Sequence, residues 1–175
     1  AYPDYPNSPR PTDFTDPPQL KALMAPKVTD VLLVELENLP VGIHLSPSDG
    51  PDDSGRGMHA RAALYSLGFL LRTAAANYLD VDEREIAVGL RPTRRDSTRV
   101  RGQIFLSDSL ENGAGYCRRL REPKAFEGLL QYMKSAIFLD ALQASDHSSR
   151  CHSACYDCML DYANMAFHGL LDWRL

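Results

Sequence analysis

The chain lacks the features of a secreted or membrane protein. No uncharged apolar run approaches the roughly 18 residues that a membrane span needs. The N-terminus, Ala1 to Asp4, has neither the basic start nor the apolar core of a signal peptide. Four cysteines in 175 residues are too few for a disulfide scaffold. These absences predict a cytoplasmic protein with no membrane partner.

The motifs of common catalytic chemistry are also missing. The chain contains no G-x-x-x-x-G-K-[ST] phosphate loop, no G-x-S-x-G nucleophile turn and no H-E-x-x-H metal helix. Its composition, 44% hydrophobic and 24% charged, is that of an ordinary globular domain. We therefore expect a folded module that is not itself an enzyme.

The N-terminal segment is unusually rich in proline. Residues 1–27 hold seven of the twelve prolines, which excludes a helix or a central strand there. We interpret 1–27 as an extended arm or linker and 28–175 as the domain proper. The absence of an initiating methionine, together with an apolar C-terminus that has no helix terminator, favours a fragment of a larger protein.

Hydrophobic periodicity predicts an α+β fold with a small, mostly antiparallel sheet packed against helices. The clearest helix spans 59–79, where apolar residues recur every three or four positions and leave Arg61 and Arg72 off the stripe. Strands are predicted at 29–39, 86–90 and 100–107, and further helices are predicted at 113–120, 123–145 and 159–173. Polar loops are expected at 46–57 and 147–158, and the second of these loops would form a zinc-bound C-terminal element with the last helix.

The strongest chemical signal is a cluster of cysteines near the C-terminus. Cys151, Cys155 and Cys158 follow the spacing C-x-x-x-C-x-x-C, and two thiolates separated by two residues can bind one tetrahedral ion. Because the chain has no secretion signal, this pattern indicates Zn²⁺ rather than disulfides. A redox role for the C-x-x-C pair is disfavoured, since the motif follows a polar loop and not a βαβ unit.

A structural zinc site needs four ligands, so the three clustered cysteines leave one position to fill. Cys117 is the remaining cysteine, and an all-cysteine site would use every thiol in the chain. His168 is the main alternative, and His147 and His152 flank the cluster. The glycine-rich turn at 112–115 precedes Cys117. It could bind an anion, but it is better read as a tight helix start that delivers Cys117 to the metal.

Positive charge is concentrated in one part of an acidic chain. Residues 84–124 carry a net charge of +5, whereas the whole chain carries −4. Five arginines on the predicted strand–loop–strand segment could contact a phosphate backbone: Arg91, Arg94, Arg95, Arg99 and Arg101. A solvated surface with ion pairs is the plainer interpretation of the same pattern.

Two stretches of this sequence resemble a known family. Residues 104–120, IFLSDSLENGAGYCRRL, and 151–175, CHSACYDCMLDYANMAFHGLLDWRL, are similar to the MZB domain, the mitomycin-repair-factor-type zinc-binding domain. That domain, once a domain of unknown function, occurs in DEAD/DEAH-box helicases and in helicase-associated proteins of the DISARM anti-phage system. The resemblance extends over roughly 59–175.

The resemblance implies a non-catalytic, zinc-binding accessory domain of a DNA-acting protein. Its partners would be helicase domains of the same chain or a helicase subunit, together with DNA, in DNA repair or antiviral defence. The repair-helicase members carry a further cysteine about six residues after the C-x-x-C, where this chain has Asn164, so it looks more like the DISARM-type subgroup. A zinc-stabilised protein-interaction scaffold without nucleic-acid contact is the alternative function.

Overall fold

A computed structural model describes residues 26–37, 46, 56–94, 100–135 and 137–175 of the chain. Of the proposed arm at 1–27, only Pro26 and Lys27 fall among these residues, and most of the loop predicted at 46–57 lies outside them. No helix in the described residues is long and apolar enough to cross a bilayer.

The sheet has three antiparallel strands, in agreement with the predicted fold class. They are β1 (Val31–Val34), β2 (Ile86–Arg94) and β3 (Val100–Asp108), and β3 lies in the centre. Leu106 pairs with Leu32 on one side and with Val88 on the other. Because side chains alternate along a strand, these residues share one face, and Ile104 and Leu106 are fully buried on it.

The helix α1 (Arg56–Leu79) packs on that face and forms the centre of the domain. It approaches the sheet so closely that a methyl group on Gly68 would lie 2.8 Å from a methyl carbon of Val88. Its other sides contact later elements, so Phe69 and Ala76 are also buried outside the predicted stripe. The apolar periodicity predicted one buried face, so it could not predict that other elements bury further sides of this helix.

The C-terminal half contains shorter helices than the periodicity predicted. They are α2 (Tyr116–Leu120), α3 (Pro123–Met133), α4 (Leu139–Gln143) and α5 (Ser145–Ser148). The predicted helix at 123–145 is therefore interrupted after Met133. The predicted helix at 159–173 is wrong: only a short 3-10 helix, Tyr162–Phe167, forms there. Asp161 caps this helix, and its partner Asn164 has a non-helical φ of −110°, which prevents a continuous α-helix.

The glycine-rich turn before α2 binds a carboxylate of the chain itself. Asp108, fully buried at the end of β3, accepts hydrogen bonds from the backbone N–H groups of Ala114 at 2.8 Å, Gly115 at 2.7 Å, Tyr116 at 3.1 Å and Cys117 at 2.9 Å. Burial alone would raise the pKa of Asp108, but these bonds outweigh it and lower the pKa below its ordinary value. The N–H groups that could have held an external anion are thus already occupied.

Replacing Asp108 by Asn should destabilise the domain by about 2–4 kcal/mol, because an amide cannot accept the same four bonds and loses the charge that strengthens them. A carboxylate with a lowered folded-state pKa stabilises the fold above its unfolded pKa of about 3.9, and this contribution is lost as pH falls through the folded value. Because Asp108 is ionised at about pH 6 and at about pH 8, the Asn substitution should lower the free energy of unfolding equally at these two pH values. Urea denaturation measures this free energy. Asp140→Asn, at an exposed position, is the matched control and should change stability little.

Candidate metal centre

The cysteine-rich loop follows α5 and brings three thiols together. The sulfur of Cys158 lies 3.6 Å from that of Cys155 and 3.9 Å from that of Cys151. Cys151 is buried, and the other two are partly exposed. The backbone N–H of Cys155 donates to the sulfur of Cys158 at 3.1 Å, which holds the two cysteines of the C-x-x-C turn close together.

The fourth group at this point is His147. Its Nε2 lies 3.6 Å from the sulfur of Cys155, and the ligand atoms of His147 and the three cysteines all lie within 4.8 Å of one another. Its Nδ1 lies 2.7 Å from the carbonyl oxygen of Leu142. Because a carbonyl only accepts, Nδ1 carries the proton and Nε2 presents its lone pair to the thiols. Such a bond orients most metal-binding histidines.

The spacing of these atoms fits zinc. Zinc binds sulfur at about 2.3 Å and imidazole nitrogen at about 2.0–2.1 Å, so a tetrahedral site places two sulfurs about 3.8 Å apart and a sulfur and a nitrogen about 3.6 Å apart. The two S–S distances from Cys158, 3.6 and 3.9 Å, and the distance of 3.6 Å from Cys155 to His147 agree with these values, and all four ligand atoms lie within 4.8 Å of one another. Three sulfurs and one imidazole also form one of the common structural zinc sets.

The cysteines differ in acidity within the loop. Burial raises the pKa of Cys158 to about 12. Burial would also raise the pKa of Cys155, but hydrogen bonds, first that with His147, outweigh it and lower the pKa below its ordinary value. Burial would lower the pKa of His147, but the hydrogen bonds to Leu142 and Cys155 together outweigh it and raise the pKa. Since zinc binds thiolates, loading the site displaces the protons of the cysteine thiols.

Cys117 does not belong to this cluster, which corrects the preferred choice for the fourth ligand. Its side chain is fully buried in the hydrophobic core, in the same cluster as Leu32 and Leu120. Burial, followed by a hydrogen bond to Asp108, raises its pKa to about 12. The turn at 112–115 does deliver Cys117 to a buried partner, but that partner is the carboxylate of Asp108.

The alternative ligand His168 is also engaged elsewhere. Its Nε2 lies 2.9 Å from the side-chain oxygen of Asn164 and 3.1 Å from the carbonyl oxygen of Asp161. Asn164, where repair-helicase members carry a cysteine, is fully buried and donates to the carbonyl of Met159 at 2.7 Å. His152 is exposed. The structure therefore leaves His147 as the candidate that completes the site.

The last residues of the chain attach the cysteine loop to the rest of the domain. The indole N–H of Trp173 donates to the carbonyl of Cys151 at 3.2 Å, and its ring meets that of His147 edge-on with centroids 5.4 Å apart. The backbone N–H of Asp172 donates to the hydroxyl of Ser66 in α1 at 2.9 Å. The metal centre and the central helix are thus held together through residues 171–173.

A buried arginine makes a second attachment. Arg72, only 4% exposed, donates to Glu83 at 2.7 Å and also pairs with Asp161, while its guanidinium lies 5.0 Å from the ring centroid of Phe69. Burial alone would raise the pKa of Asp161, but the bond from Arg72 and further hydrogen bonds lower it. The apolar periodicity, which placed Arg72 off the buried stripe, did not indicate this role. The signal available in the sequence was a charged residue among apolar residues of the helix, because a buried charge requires a partner of opposite charge.

The five arginines proposed to contact phosphate are described only in part. Arg91 is exposed on β2, and its Nε donates to Gln103 on β3 at 2.7 Å. Arg101 is half-buried on β3, directly opposite Thr93. Arg94 ends β2, whereas Arg95 and Arg99 lie outside the described residues. Among the described residues, none of these arginines lies in the metal centre.

A three-stranded sheet under helices, with one histidine and three cysteines converging beside it, defines a small zinc-binding domain. The chain matches the sequence model of the MZB family, described as the MrfA Zn-binding domain, over residues 67–159. The chain therefore belongs to the MZB family. The match contains all four residues of the candidate centre, so their geometry and the family agree on zinc as the cofactor.

One solved structure to which the chain is similar is the crystal structure of the DUF1998 helicase MrfA bound to DNA. The match has 17% identity and a TM-score of 0.41, and it covers 65% of this chain. It covers only 13% of the helicase chain. A search of curated proteins found no match.

Proposed function

We propose that this chain is a structural, non-catalytic zinc-binding module that serves a helicase-type, DNA-acting protein in the cytoplasm. The observation that carries this proposal is the cluster of His147 and the three cysteines. Helicase domains of the same chain or of a partner subunit would be its neighbours. A place in DNA repair or in DISARM-like antiviral defence follows from the family resemblance and is part of the same proposal.

The donor set supports a structural role for the metal. Catalytic zinc sites keep a position open for water or substrate, whereas structural sites are filled by four protein ligands. Three sulfurs and one imidazole nitrogen would fill a tetrahedral ion. The bonds from residues 171–173 and from Arg72 connect this centre to α1, so zinc would fix the C-terminal segment on the body of the domain.

The arginines of β2 and β3 support a nucleic-acid contact. Arg91 and Arg101 lie on the same side of the β2–β3 pair, because Arg91 and Thr93 are two residues apart and Thr93 pairs with Arg101. Two guanidinium groups on one face suit a phosphate backbone. The exposure of Arg91 and the +5 charge of residues 84–124 favour such a contact over a purely protein-binding surface.

Changing both Arg91 and Arg101 to Gln should weaken DNA binding and reduce its salt dependence. Each phosphate that the variant no longer neutralises should lower the slope of log K against log salt by about 0.9 on duplex DNA and about 0.7 on single strands. The slope should therefore fall by up to about 2, measured by fluorescence anisotropy of labelled DNA over a salt series.

The matched control is the double change Arg84→Gln and Arg174→Gln. It removes the same charge from surface residues that are paired with Asp82 at 2.9 Å and Asp172 at 2.6 Å. This control should leave the slope nearly unchanged. Equal slopes for the Arg91/Arg101 variant and the wild type, with one zinc per chain in both, would favour the protein-interaction scaffold instead.

A further inference from the structure

The sheet has a second face, opposite α1, that the described residues leave partly open. On this face β1 contributes Val31 and Leu33, which are 47% and 43% exposed. Ala87 of β2, which pairs with Ser107, is also exposed. A sheet that packs helices on one side only can present the other side to a ligand.

An aromatic ring lies across the middle of this face. Phe105 on the central strand pairs with Leu33 on one side and Gly89 on the other. A methyl group on Gly89 would lie 2.3 Å from Cζ of Phe105, so the ring rests on the glycine backbone. Phe105 is half-buried, so part of its side chain stays accessible. The ring therefore lies over Gly89 on the open face, and its accessible part can be reached by a ligand.

Positive charge lies next to the ring on the same face. The hairpin of β2 and β3 extends beyond the last residue pair of β1, Val34 with Ile104. Two residues along the strands from Phe105, on the same face, Gln103 pairs with Arg91. Two residues further on, Arg101 pairs with Thr93. Each such step is about 7 Å along a strand. The paired residues on this face include no acidic side chain, and two glutamates, Glu35 and Glu37, follow directly after β1.

We propose that this face binds single-stranded nucleic acid, with a base stacked on Phe105 and the adjoining phosphates paired with Arg91 and Arg101. This proposal rests on the proposed function and names the form of nucleic acid that the module binds. In a duplex the faces of the bases are covered by their neighbours, whereas an unpaired strand can place them on an aromatic ring. An apolar ring beside two arginines on one face matches bases and phosphates better than it matches an apolar protein surface.

The test is Phe105→Leu in the 175-residue, zinc-loaded chain. Leucine keeps apolar cover on Gly89 but has no aromatic face, so affinity for a labelled oligothymidylate of about 12 nucleotides should fall about 5- to 100-fold. Phe105→Tyr keeps the ring and should bind within about twofold of the wild type. The salt slope should be unchanged in both variants, because neither alters a charge.

A Phe105→Trp variant provides a direct signal that does not depend on the stability of the leucine variant. Oligothymidylate should quench the fluorescence of the added indole, with the wild-type chain, which contains only Trp173, as the blank. Wild-type affinity in Phe105→Leu, or an unquenched indole at saturating oligothymidylate, would overturn the stacking site and leave the arginine contact standing. If the wild-type chain bound neither oligothymidylate nor duplex, both the stacking site and the proposed function would fall.

Discussion

Stripping zinc from the chain should lower its melting temperature by at least about 10 °C. Structural zinc contributes on the order of 10 kcal/mol in small domains, and a domain of this size shifts its Tm by roughly 2–4 °C per kcal/mol. The expected loss is large because the cysteine loop holds Cys151 and Trp173 together and carries Met159 and Leu171 into the core. Differential scanning fluorimetry with a strong chelator, alongside metal analysis, measures the shift.

The loss of structure on zinc removal should begin in the C-terminal segment. Residues 145–175 should lose protection from hydrogen exchange before the strand pair β2–β3 does, since the metal clips only the C-terminal segment. Adding zinc back should restore both protection and Tm, whereas magnesium, which prefers oxygen ligands, should restore neither. A metal-free chain that melts within about 2 °C of the zinc-loaded one would rule out a structural role for the site.

Replacing His147 by Ala should lower zinc affinity by at least about 100-fold, whereas Cys117→Ser should leave it unchanged. Removing a residue that only hydrogen-bonds to a metal ligand lowers metal affinity about 10- to 100-fold. Removing the ligand itself should therefore lower it by at least about 100-fold. Cys117 is buried against Asp108, and its serine replacement can still donate to that carboxylate. Competition with a chromophoric zinc chelator gives the affinities.

Two further variants make this comparison specific. His147→Cys supplies a fourth thiolate from the same backbone position and should retain one zinc per chain, because zinc accepts a Cys₄ set as readily as Cys₃His. His152→Ala removes an exposed histidine next to the cluster and is the matched control. If Cys117→Ser released the metal while His147→Ala kept it, the all-cysteine site would stand and the assignment of His147 would be wrong.

Much of the fold could be predicted from sequence because its strongest signals are local. Alternating and continuous apolar runs predicted the strands at 86–90 and 100–107, and both form, extended to Arg94 and Asp108. The helix predicted at 59–79 forms with three further residues at its start. The helix predicted at 159–173 does not form, because Asp161 and Asn164 form a capping box that begins a new turn and Asn164 has a non-helical backbone.

The metal centre could be predicted only in part, since spacing determines which cysteines can meet but not which distant side chain joins them. Cys117 was favoured by chemistry alone, as zinc prefers sulfur. Its location depends on Asp108, which binds the turn before α2 and places the thiol in the core. Selection of His147 required its ring orientation, which is set by the Leu142 carbonyl and the edge of Trp173.

The central claim is that one imidazole nitrogen and three cysteine sulfurs hold a single structural zinc ion. Zinc K-edge X-ray absorption of the purified, zinc-loaded chain measures this ligand set directly. We expect three sulfur neighbours at about 2.3 Å and one nitrogen at about 2.0–2.1 Å, and the nitrogen should disappear in His147→Cys. Four sulfurs around the zinc of the wild-type chain would contradict the assignment of His147 and would return Cys117 to the site.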